Sequence, residues 1–60
     1  MVKVKIIEES NRFGLTNEIN KFTSNNKIDV IDIKFEVEYI STYKTTYYAM
    51  IIYRDRQIYG

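Results

Sequence analysis

The sequence predicts an α+β fold of order β-α-β-β, with one helix packed on a three-stranded antiparallel sheet. Three observations predict it. The chain opens with apolar residues at every second position, changes to helical spacing in "EESNRFGLTNEINKF", and returns to strict alternation in "IDIKFEVEYI". The last apolar stretch, "TTYYAMIIYRD", is apolar on both parities, which suits a strand with neighbours on either side.

In the first strand Val2, Val4 and Ile6 alternate with Lys3 and Lys5, giving one apolar and one charged face. The helix follows, with Leu15, Ile19 and Phe22 at i, i+4 and i+7 as its apolar stripe. Ser10 or Asn11 is placed to cap its start, and Glu8 and Glu9 lie near the positive end of its dipole. Gly14 weakens the first turns by roughly 1 kcal/mol relative to alanine and hints at close packing there or at a tolerated weak spot. The helix is expected to stop in "TSNNK", where Asn25 and Asn26 tolerate the left-handed conformation.

The second strand places Ile31, Ile33, Phe35, Val37 and Tyr39 on one face and Asp32, Lys34, Glu36 and Glu38 on the other. Parity breaks between Val30 and Ile31, which predicts a bend or bulge at the entry to the sheet. "STYKT" has neither Gly nor Pro, so a longer hairpin loop is expected in place of a tight two-residue turn. The hairpin makes the second and third strands antiparallel. Pairing of the first strand with the third then gives a fully antiparallel sheet of order 1-3-2, with the doubly apolar strand in the middle.

Residues 1–60 are expected to form a single domain. A chain of this size buries only about 60% of the surface its unfolded form exposes, and small scaffolds compensate with disulfides, metals or association. The absence of Cys and His leaves association. Nine Lys+Arg against eight Asp+Glu give a formal net charge of +1, which disfavours duplex nucleic acid as a partner, and no run is long enough to cross a membrane. A cytoplasmic location is the expectation. Without His or Cys, catalysis would rest on carboxylates, lysines or tyrosines, and no metal or cofactor site is read; the expected class is non-enzymatic.

The helix can cover one face only. The expected packing sets Leu15, Ile19 and Phe22 against Val2, Val4, Ile6, Ile33, Phe35, Val37 and the Ala49 parity. Tyr48, Met50 and Ile52, flanked by Ile7, would then form an apolar strip on the other side. A second subunit covering this strip predicts a homo-oligomer; the alternative is a monomer in which Lys and Glu stems fold over it.

Six tyrosines are many for this length: Tyr39, Tyr43, Tyr47, Tyr48, Tyr53 and Tyr59. Flat rings beside cations suit a nucleotide or a single strand, although tyrosines are favoured in strands and interfaces whatever the ligand. The candidate ligand residues are Arg12, Tyr43, Lys44, Tyr47, Tyr48, Arg54 and Arg56, with the rings for a base and the cations for phosphate. Phe13 lies about 160° from Leu15 around the helix, either as a local plug or as part of a contact surface.

"VKIIEE", the short amphipathic helix, "VIDIKFEVEY" and "YYAMIIYRD" together resemble the small sporulation protein family of bacilli and related Firmicutes, first named for compartment-specific early sporulation expression. The resemblance covers nearly the whole chain and departs at Gly14 and in a sparsely acidic helix. It implies no enzymatic activity and no catalytic residues. Phage-encoded relatives of this kind suggest a small homo-oligomeric sponge for a nucleotide-derived immune signal, the leading expectation. The alternative is a protein-interaction module of sporulation or phage development without a small-molecule ligand.

Overall fold

Residues 1–56 are described by the computed structural model; Gln57 to Gly60, with Tyr59, lie outside the described residues. Strand β1 spans Val2–Glu9, helix α1 Arg12–Thr23, strand β2 Ile28–Ser41 and strand β3 Lys44–Asp55. The sheet has the order β1-β3-β2 and both pairings are antiparallel, so the predicted fold class, α+β, and strand order are those observed.

Asn11 caps α1. Its backbone is extended, and its Oδ1 accepts from the Gly14 N–H at 2.7 Å, which satisfies one of the free donors of the first turn. The helix ends without the left-handed residue expected at Asn25 or Asn26, since none of the described residues has a positive φ. Local groups serve the last carbonyls instead: the Ser24 N–H donates to Asn20 O, the Asn25 N–H to Phe22 O, and the hydroxyls of Thr23 and Ser24 to Ile19 O and Lys21 O. With those acceptors engaged, no left-handed turn is required.

Strand β2 shifts register between Val30 and Asp32, where the broken parity predicts a bulge, and again between Tyr39 and Ser41. The second shift accompanies a correction at the hairpin. Ser41 pairs with Lys44, so only Thr42 and Tyr43 connect the strands. Tight hairpins usually need a positive φ, and this one does without. The extra residue, Ile40, adds the local twist that an ordinary turn lacks, and Ser41 Oγ accepts from the Tyr43 N–H at 3.3 Å.

Register decides the faces. Ile7 and Phe35 flank Ala49, and Lys5 and Ile33 flank Ile51, so these side chains share the helix side. Leu15 and Ile19 descend from α1 onto Ile7, Ala49 and Ile51, and Phe22, Ile33, Tyr47 and Tyr53 pack around them. Phe22 meets Tyr53 edge-on, with ring centroids 5.0 Å apart. The near-absence of a side chain at Ala49 lets the helix approach.

The expected packing of β1 is reversed. Val2, Val4 and Ile6 pair with Arg54, Ile52 and Met50 on the face away from the helix, and Ile7 alone of the β1 aliphatics enters the core. Lysines line the helix side of β1 because their stems reach useful ends: Lys5 Nζ sits 5.9 Å from the Phe22 ring centroid, and Lys3 Nζ bonds Asp55 at 2.7 Å. A second correction concerns β2. The helix lies over β1 and β3, so Phe35 and Val37 stay exposed on the helix side.

Candidate functional site

The face away from the helix carries an apolar strip two strands wide. Val4 lies beside Ile52 and Ile6 beside Met50, with Val2 at one end and Tyr48 at the other. Val2, Val4 and Ile6 are each more than half exposed, and Met50 is 38% exposed. An open depression of about 330 Å³ sits over Ile6, Tyr48 and Met50, with Lys34 and Glu36 on its β2 side. Strand β2 borders the strip with Asp32, Lys34, Glu36 and Glu38.

Charge is unevenly spread along this face. Glu8 and Glu36 flank Tyr48, and the Tyr48 hydroxyl donates to Glu38 Oε2 at 2.9 Å. That bond raises the Tyr48 pKa above the ordinary tyrosine value, with partial desolvation and the charges of Glu38 and Glu8 acting in the same direction. Lys44 lies farther out, at the hairpin. At the opposite end stand Arg54 and Arg56. Arg56 is bound to Asp29 at 2.8 Å, while Arg54 makes no ion pair among the described residues.

The sequence-derived ligand residues do not converge within one chain. Tyr43 is 97% exposed at the hairpin tip beside Lys44. Arg54 lies near the other end of β3, about 34 Å from Lys44 at the rise of an antiparallel strand, and Arg56 follows the strand's last residue. Tyr47 faces the helix side against the core, and Tyr48 faces the opposite way. Arg12 opens α1. Phe13 is 81% exposed, which makes it a surface residue and not a plug. Three carboxylates around Tyr48 also oppose a phosphate at that residue.

Reading from the sequence missed Val2, Val4 and Ile6 as part of the open face. Their strict alternation identified an apolar face of β1 but not the side on which it lies. The adjacent Ile6 and Ile7 held the signal, since two apolar neighbours at a strand's end serve both faces.

Fold and surface together define a small one-helix α+β protein with an uncovered apolar sheet face. Among the described residues no group of three or more Asp, Glu, His or Cys is placed to hold a metal, and no helix is long and apolar enough to cross a membrane. Over residues 1–55 the chain matches the family described as Sporulation protein Cse60, and it belongs to that family. No curated protein and no solved structure matches the chain.

Proposed function

We propose that this chain is a non-enzymatic interaction module of the sporulation programme, acting through the apolar face of its sheet. One observation carries the reading: Val2, Val4, Ile6, Tyr48, Met50 and Ile52 form a continuous strip that α1 does not cover. Val2, Val4, Ile6 and Met50 keep between 38% and 61% of their surface exposed, so covering each adds roughly half of the 1.5–3 kcal/mol of a full burial. The missing His and Cys, and the dispersal of the tyrosines and arginines, support binding of a protein surface over chemistry or nucleotide capture.

Native mass spectrometry of protein from sporulating cells tests the reading. The expected result is a complex heavier than the 7.2 kDa chain, lost in a Met50→Glu variant that keeps its circular dichroism. A wild-type protein that runs as the bare chain, like the variant, overturns it. A thermal-shift panel of linear and cyclic nucleotides is expected to be flat. A nucleotide at 100 times its Kd would add about 2.7 kcal/mol, and such a shift would favour the nucleotide reading instead.

A further inference from the structure

We infer that the open face is covered by a second copy of the same chain, packed face to face with its strands antiparallel, about a two-fold axis passing between Met50 and Ile52. The inference rests on the interaction reading above and names its partner.

The residue order along β3 supplies the argument. On the open face it runs Tyr48, Met50, Ile52, Arg54, with apolar residues in the middle and opposite charge character at the ends. A two-fold axis across the strands lays Met50 on the partner's Ile52 and Ile6 on the partner's Val4. The depression over Ile6 and Met50 thereby receives aliphatic side chains. The same operation lays Tyr48, which stands between Glu8 and Glu36, on the partner's Arg54, within reach of charge-assisted carboxylate–guanidinium contacts, and sets Glu36 over the partner's Asp29, whose charge Arg56 already neutralises. On β2 it sets Lys34 above the partner's Asp32, two residues that already lie 3.4 Å apart within the chain. An axis along the strands would place Glu8 over the partner's Glu36, and like charges facing each other disfavour that arrangement.

Anatomy agrees. The operation overlaps the two copies on β3 from Tyr47 to Asp55, about 30 Å at the rise of a strand, across a chain whose middle extent is 19 Å, which places the contact at the small end of stable interfaces. An apolar centre with a charged border is the arrangement of such interfaces, and aligned sheets stack about 10 Å apart. A chain this short gains from association what its small core lacks. Because the contact is isologous, every pairing occurs twice.

Single cysteines test the geometry, since the chain has none of its own. Tyr48→Cys and Arg54→Cys are purified separately, mixed, and treated with a short bis-maleimide that spans the roughly 10 Å between stacked sheets. The expected result is a mixed cross-link forming at least tenfold faster than either variant joins to itself. Faster joining of Arg54→Cys to itself, or equal rates throughout, overturns the antiparallel arrangement. Arg54 is exposed, so Arg54→Glu folds and gives an independent measurement. Sedimentation is expected to show its dissociation constant raised at least tenfold, with recovery when Glu36→Lys is added. An unchanged constant overturns the inference. A wild-type complex that contains another protein and one copy of this chain also overturns it, yet leaves the interaction reading standing. A wild-type monomer removes both.

Discussion

Neighbouring residues of β3 meet different surroundings. Ile51 has no exposed surface, while Met50, next in the chain, is 38% exposed. Both are apolar and both sit on the central strand, so the difference comes from what lies above each face. On one side α1 delivers Leu15 and Ile19 to Ala49 and Ile51. On the other there is only the border of Asp32, Lys34, Glu36 and Glu38. The helix side holds the single chain together, and the open side is available for intermolecular contact.

Substitution of the two neighbours should separate these roles most sharply. Ile51→Ala is expected to destabilise the chain by about 2–5 kcal/mol, the range for truncating a buried isoleucine, read as a fall in the denaturation midpoint. Ile6→Glu on the open face should leave the circular dichroism intact and abolish association in sedimentation. Equal unfolding by the two changes would break the comparison.

Smaller effects sharpen the helix side. Asn11→Ala removes the cap to Gly14 and should cost about 1 kcal/mol in chemical denaturation. Gly14→Ala should act in the opposite direction. A Cβ at Gly14 would meet Glu9 Oε1 at 2.6 Å, but that atom ends a flexible side chain and can swing away. The expected net gain is up to about 1 kcal/mol from helix propensity, and a loss would show that Glu9 is held in place.

The smallest effect is alkaline. The bond to Glu38 raises the Tyr48 pKa, and the bond to Asp55, aided by its charge, raises that of Lys3. In both groups the folded state favours the protonated form. Their contribution is therefore complete below the ordinary tyrosine and lysine values and is lost as pH rises through the raised ones. Tyr48→Phe should flatten the first part of that decline in a pH series of melting temperatures.

Much of the fold was legible because local pattern and global architecture agree. Leu15, Ile19 and Phe22 mark the helix, the alternation from Ile33 to Tyr39 marks β2, and the doubly apolar β3 marks the middle of the sheet. The bulge at Ile31 was visible as a break in parity. What escaped depends on where α1 lands. Period two separates Val2, Val4 and Ile6 from Lys3 and Lys5, but both sets have a use, since a lysine stem can lie beside Phe22 while its ammonium remains in water. The two-residue hairpin escaped because Ile40 supplies twist that a glycine usually provides. The ligand residues were grouped by sequence proximity, and an extended strand sends Tyr47 and Tyr48 to opposite faces and carries Arg54 far from Tyr43.

The bulges at Ile31 and Ile40 also bear on filament growth. β2 is an edge strand, and unpaired edge groups can template addition of further chains. Interrupting the ladder near both ends confines the regular edge to the segment from Asp32 to Tyr39, where every second side chain is charged. β2 can therefore be a long, half-apolar outer strand without offering a flat template for endless stacking.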